Sequence, residues 1–257
     1  MSAKVNSPGS RIQRTKRRAP GSERTLPEVA VNMAITADGK IATANRAGAS
    51  FGSARDHDHL LELRATADAV LCGARTADSN PVNLGPGPAR YRRLRVKRGL
   101  AEYNLRIIVS GSGTLNPKAE VFRHRFSPVI ILTTARASAR RLKALRAAAD
   151  AVHVCRGKEI DFRKALAWLR RRWKVRRLLC EGGGEINDAL FQAGLVDALH
   201  LTICPLILGG RAAPTLADGR GAKNLAVAAQ FELESARRHG DELFLVYTRR
   251  PRHRLPR

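Results

Sequence analysis

The sequence predicts an α/β fold: a mixed, mainly parallel sheet flanked by helices and closed by a C-terminal antiparallel hairpin. Two observations predict the parallel part. Apolar runs of strand length recur between residues 28 and 204, and segments with helical spacing or helix caps lie between them. A third observation predicts the hairpin, because Phe231 to Arg238 and Glu242 to Arg249 are strand-like and are joined by His239-Gly-Asp241. No linker divides residues 27 to 249, which are therefore expected to form one domain between two basic tails, 1–26 and 250–257.

Glu28 to Thr36 is apolar enough for an inner strand. The turn at Asp38-Gly39 follows it directly, so the Asp38 carboxylate and the Lys40 ammonium can both face a ligand at the sheet edge. Residues 43 to 52 are small and polar, as in a loop. Ser53-Ala-Arg-Asp56 has the form of a capping box with Asp in place of Glu, and opens a helix to Arg64 that turns Leu60, Leu61 and Leu63 inward. Asp68 to Gly73 has the signature of a buried strand, with residues 74 to 81 as its loop. Residues 81 to 91 are rich in Gly and Pro, and Arg92 to Leu100 reads as a basic surface helix. Strands follow at 105–110, 127–134 and 151–155, with helices over 135–148 and from Asp161 through Leu166 and Leu169.

Residues 177 to 210 read as strand, glycine turn, short helix and strand. The first strand ends in Glu181. Gly182, Gly183 and Gly184 then turn the chain with its amides bare, and Ile186, Leu190 and Phe191 share a helix face that ends near Gly194. Bare amides at a helix N-terminus attract anions, so the turn is a candidate phosphate cradle. Three glycines also make a plain turn, and their spacing is neither that of a Rossmann turn nor of a Walker A loop. The carboxylate at the strand end sharpens the reading, since ligands of open α/β sheets gather beyond the carboxyl ends of strands.

A formal net charge of +25 in 257 residues would suit an anionic partner. Much of it lies in the two tails, and arginines such as Arg136, Arg140, Arg141 and Arg146 fall on helix surfaces. Without interleaved aromatics, nucleic-acid binding is not expected. Cys72, Cys155, Cys180 and Cys204 form no C-x-x-C pair, so no metal site is expected, and reduced, buried thiols fit best. Neither a signal-peptide core nor a membrane-spanning apolar run occurs, which points to a cytoplasmic protein.

Six motifs in series complete the reading: Asn32-x-Ala34-x-x-Ala37-Asp-Gly-Lys-Ile41, Leu63-Arg64-Ala65-x-x-Asp68-Ala-Val-Leu-x-Gly73-Ala-x-Thr76, Leu105-Arg-Ile-Ile-Val-Ser110, Glu181-Gly-Gly183, Leu195-Val-Asp197-x-Leu199 and Pro205-x-x-x-Gly209-Gly210. Over residues 28 to 249 their order and spacing resemble the pyrimidine reductase family of riboflavin biosynthesis. The resemblance implies a dihydrofolate-reductase-like fold and the use of NADPH to open the ribosyl ring of 5-amino-6-(5-phosphoribosylamino)uracil, or of its undeaminated analogue, to a ribityl chain. It also implies that Ala34, Thr76, Ser110, Gly183, Gly184, Glu185 and Ile186 contact the cofactor, that Arg64 and Glu181 contact substrate, and that Asp38 and Lys40 flank the reacting sugar. Asp38, Lys40 and Glu181 are then the catalytic candidates, with Lys40 or Asp38 steering the proton. Family members are often homodimers. Loops 47–52 and 76–81 depart from the family pattern, which leaves a same-fold reductase of another substrate, or a noncatalytic protein that binds RNA through its tails, as alternatives. Glu185 stands beside the expected cofactor phosphates and has to point away from them. The sequence contains no H-x-E with P-C-x-x-C, so a deaminase activity is not expected.

Overall fold

A computed structural model describes residues 24–46, 51–79 and 82–250. Residues 1–23 and 251–257 of the expected tails, most of loop 47–52 and the end of loop 76–81 lie outside them. Nine strands form one sheet: β1 (Glu28–Thr36), β2 (Ala69–Gly73), β3 (Leu105–Val109), β4 (Val129–Thr134), β5 (Ala151–Cys155), β6 (Arg177–Cys180), β7 (Ala198–Cys204), β8 (Phe231–His239) and β9 (Glu242–Arg249). Their spatial order is β5-β4-β3-β2-β6-β1-β7-β9-β8. The first seven pair in parallel, and β9 and β8 add in antiparallel fashion beyond β7.

The helices are α1 (Ala54–Arg64), α2 (Ala74–Ser79), α3 (Ala89–Lys97), α4 (Glu120–Arg123), α5 (Ala139–Ala148), α6 (Phe162–Trp173) and α7 (Gly184–Gln192). Strand alternation sends side chains to two cores. Val29, Val31, Leu71, Ile107, Ile130 and Leu132 pack with α6 and α7, through Leu166, Leu169 and Leu190. Val70, Cys72, Ile108, Val129, Ile131 and Leu179 form the opposite core, with Ala77 of α2, Phe122 of α4 and Leu145 of α5. Both faces are covered, which is why the strands read as nearly continuous apolar runs.

Four expectations need correction. Residues 74–79 form helix α2 rather than a loop, starting directly from the end of β2. The helix expected from residue 135 begins at Ala139, because Ser138 is its N-cap and accepts the Arg141 amide at 3.4 Å. Helix α4 was not foreseen. The helix expected over 92–100 spans Ala89–Lys97 and is not wholly surface: Arg95 is 1% exposed and donates to the carbonyls of Arg64 (2.6 Å), Ala67 (2.5 Å) and Ala101 (2.9 Å). The last carbonyls of a helix lack intrahelical partners, and this guanidinium supplies donors at the end of α1. Arg106 serves the carbonyls of Val121, His124 and Ser127 in the same way. Burial lowers the pKa of both arginines to about 10. All four cysteines are buried and free, as expected.

Candidate functional site

The candidate residues collect beyond the carboxyl ends of β1, β6, β2 and β3. At the end of β6, Gly182 has φ +80°, and a Cβ there would lie 2.2 Å from Met33 Cε of β1. The Gly73 amide, closing β2, donates to Gly182 O at 2.9 Å, and the Ile186 side chain packs over Gly73. The glycine turn is therefore pressed between the ends of two strands. Gly183 is the N-cap of α7, and nothing lies within 4 Å of the position its Cβ would take. The space beside Gly183 is open, and the first amides of α7 have no intrahelical acceptors. This is the turn that the sequence reads as a candidate phosphate cradle.

The far wall comes from residues 213–218, which no sequence motif marked. A Cβ on Gly184 would approach Thr215 O to 2.6 Å, and the Asp218 amide donates to Gly184 O at 3.0 Å. Asp218 accepts from the Thr215 hydroxyl at 2.6 Å, and the buried Asn187 side chain donates to Leu216 O at 2.9 Å. Asn187 stands in the sequence as one more polar residue of α7. Its role depends on a loop 29 positions away. Lys40 pairs with Thr215 in an isolated bridge, which brings the Asp38-Lys40 turn to the same wall.

Asp38 and Lys40, equivalent on paper, differ in place. Thr36 Oγ1 donates to Asp38 Oδ1 at 2.5 Å, and the amides of Leu208 and Gly209 donate to its two oxygens at 3.2 and 2.7 Å. The Thr36 hydrogen bond leads the effects that hold the Asp38 carboxyl below its usual range, with the two amides assisting. Lys40 Nζ has a 3.4 Å hydrogen bond to Ala213 O, a carbonyl rather than a carboxylate.

Arg64 and Glu181 meet directly. Nε and Nη2 donate to the two carboxylate oxygens at 2.6 and 2.7 Å, and Nη1 donates to Gly85 O at 2.8 Å. Their side chains are 10% and 12% exposed. Burial opposes the Arg64 charge, but Glu181 outweighs it and raises the Arg64 pKa. Two guanidinium N–H groups and the second lone pairs of Glu181 are not used by these three contacts. Arg75 of α2 reaches Glu185 at 2.6 Å, and both are more than half exposed. Ala34 is half-buried late in β1, Thr76 is half-buried in α2, and Ser110 is buried where β3 ends.

The family model described as RibD C-terminal domain matches residues 27–245. The chain belongs to that family. A 2,5-diamino-6-ribosylamino-4(3H)-pyrimidinone 5′-phosphate reductase of Methanothermobacter thermautotrophicus is 32% identical over 222 residues, 86% of this chain and 98% of that one. The reductase of the same name from Aquifex aeolicus is 29% identical over 221 residues, 84% of this chain and 94% of that one. Among solved structures, a pyrimidine reductase-like protein of Corynebacterium diphtheriae superposes with TM-score 0.74 at 24% identity, over 88% of this chain and 92% of that one. That last likeness establishes the shared fold. No helix among the described residues is long and apolar enough to cross a membrane.

Proposed function

We propose that this chain is an NADPH-dependent reductase of 2,5-diamino-6-ribosylamino-4(3H)-pyrimidinone 5′-phosphate, the substrate for which its relatives are named. The observation that carries the reading is one convergence beyond β1 and β6: the open glycine turn, the Lys40 ammonium and the Arg64–Glu181 pair.

The empty space at Gly183 and the first amides of α7 fit a dinucleotide phosphate. Gly183, Gly184 and the first turn of α7 would hold it, with Ala34, Thr76 and Ser110 along the neighbouring strand ends. NADPH, when bound, supplies the hydride. The acid at Glu185 is tied to Arg75, which offsets its charge beside that phosphate.

In the reaction the C1′–O4′ bond of the ribose breaks, C1′ gains a hydride and O4′ gains a proton. Asp38 is a poor source of that proton, since its ionised form is the one that accepts the hydroxyl and the two amides. We assign the proton to the Lys40 ammonium, with Asp38 fixing the 206–209 segment around it. Arg64 and Glu181 act together, the spare N–H groups of one and the spare lone pairs of the other being offered to the phosphorylated substrate.

The test is loss of NADPH absorbance with the diaminopyrimidinone phosphate and purified protein. Lys40→Ala is expected to lower kcat by about 10²- to 10⁴-fold with NADPH affinity unchanged. Full turnover in Lys40→Ala would remove Lys40 from the proton step. NADPH binding without turnover in the wild type would direct the search to another substrate.

A further inference from the structure

The site described above uses Arg64 at the last position of α1, and the first turn of that helix is held by a residue no site motif includes. Glu242, the first residue of β9, is 6% exposed. Its carboxylate accepts the Ser53 amide at 2.7 Å and the Ser53 hydroxyl at 2.6 Å, and the Cys204 thiol lies 3.6 Å from it. Ser53 is the N-cap of α1, and its hydroxyl in turn accepts the Asp56 amide at 3.2 Å.

These partners are an amide, a hydroxyl and a thiol rather than a cation. Burying a carboxylate in such company is costly, and a hydrophobic residue would fill the place more cheaply. What the carboxylate does here is geometric. Cys204 closes β7 in register with Thr36 of β1, and Glu242 sits beside it on β9, so Glu242 fixes the start of α1 two strands away from the Asp38-Lys40 turn. The helix then runs 11 residues across the sheet to Arg64, where Glu181 holds its far end.

We propose that Glu242 is a positioning residue of the reductase site, a latch that sets the direction of α1 and through it the place of the Arg64–Glu181 pair. The kinetic part of this inference rests on the reductase reading. The structural part does not. The Asp56 carboxyl in the same helix turn is pushed up, chiefly by burial, with the Glu242 charge adding to it against the lowering effect of a Thr202 hydrogen bond and of His59 and His57.

The test compares Glu242→Ala, Glu242→Gln and Ser53→Ala with wild type in the full chain. Hydrogen exchange of the Ser53 to His57 amides reads the latch, and steady-state kinetics with NADPH and the diaminopyrimidinone phosphate read the site. In Glu242→Ala the helix-start amides are expected to exchange faster, and KM for the pyrimidine is expected to rise about tenfold to a hundredfold. The Kd for NADPH should stay at its wild-type value, because the glycine turn is held by the 213–218 loop instead. Glu242→Gln keeps an acceptor for the amide and a partner for the hydroxyl, and should restore most of both readouts. Ser53→Ala, which removes one of the two bonds to Glu242 together with the cap bond to the Asp56 amide, should shift both in the same direction, and its KM serves if Glu242→Ala does not fold. Unchanged KM in a folded Glu242→Ala or Ser53→Ala protein whose helix start exchanges faster would overturn the proposal and leave Glu242 as a fold-stabilising group. If the wild type turns over no substrate, the reductase reading fails, and unchanged exchange in the variants would separately refute the latch.

Discussion

The two walls of the site are built from different materials. The α7 wall is made of backbone: glycines pressed against strand ends, a carbonyl where a Cβ would go, and a loop stitched on by amides. The α1 wall is made of side-chain charge and polarity, with Glu181 on Arg64 at one end and Glu242 on Ser53 at the other. Backbone contacts fail when any atom is added. Charged contacts fail when one partner is removed. The walls should therefore respond to opposite kinds of mutation, and each prediction below tests that division.

The largest effect is expected at the Arg64–Glu181 pair. Arg64→Ala leaves a buried carboxylate without its cation and should lower stability by about 3–5 kcal/mol in urea unfolding. Arg64→Lys should recover only part of that, since an ammonium cannot form the bidentate contact. Full recovery by Lys would mean that charge alone, without geometry, organises the α1 wall.

Next in size is the glycine turn. Gly184→Ala drives a methyl to 2.6 Å from Thr215 O and is expected to cost about 1–3 kcal/mol as an overpacked site. Gly183→Ala meets nothing within 4 Å, so its stability should change by less than about 0.5 kcal/mol. Its methyl nevertheless enters the space proposed for a cofactor phosphate, so NADPH affinity measured by fluorescence titration should fall. Unchanged affinity would place the phosphates elsewhere.

The α1 side should also be the acid-sensitive one. His200 of β7 faces His59 of α1, with ring centroids 5.5 Å apart, and burial followed by the His59 charge lowers its pKa from 6.5 to about 4. The unfolded chain binds that proton first, so the stability contribution is complete above pH 6.5 and is lost as pH falls towards 4. His200→Phe should flatten the fall of Tm over this window, leaving the smaller share due to His59, whose pKa burial also lowers. An unaltered slope would move the acid sensitivity to other groups.

Among the side-chain pairs, the smallest effect belongs to Arg75 and Glu185. This pair is 59% and 65% exposed, and Glu185→Ala should change stability by no more than about 1 kcal/mol. NADPH should bind Glu185→Ala at least as tightly as wild type, because an acid beside the proposed phosphate site is gone. Weaker binding would show that Glu185 contacts the cofactor itself.

Strand positions, the Ser53 cap of α1, the final hairpin and the glycine turn were legible in the sequence because each depends on near neighbours. Apolar runs mark strands, caps and turns act within four residues, and three glycines announce a tight bend. Arg64, Glu181, Asp38 and Lys40 could be singled out as reactive types at strand or helix ends. Their division of labour could not. Whether Asp38 offers a proton or clamps a loop depends on amides 170 and 171 positions away. That Arg95 is buried depends on carbonyls at the end of another helix, and that Glu242 holds Ser53 depends on a contact spanning 189 residues. Hydrogen bonds and ion pairs act over a few ångströms in space whatever their separation along the chain. The sequence by itself therefore determined which chemical groups this protein carries and which elements present them, and the tertiary structure alone decided which groups meet.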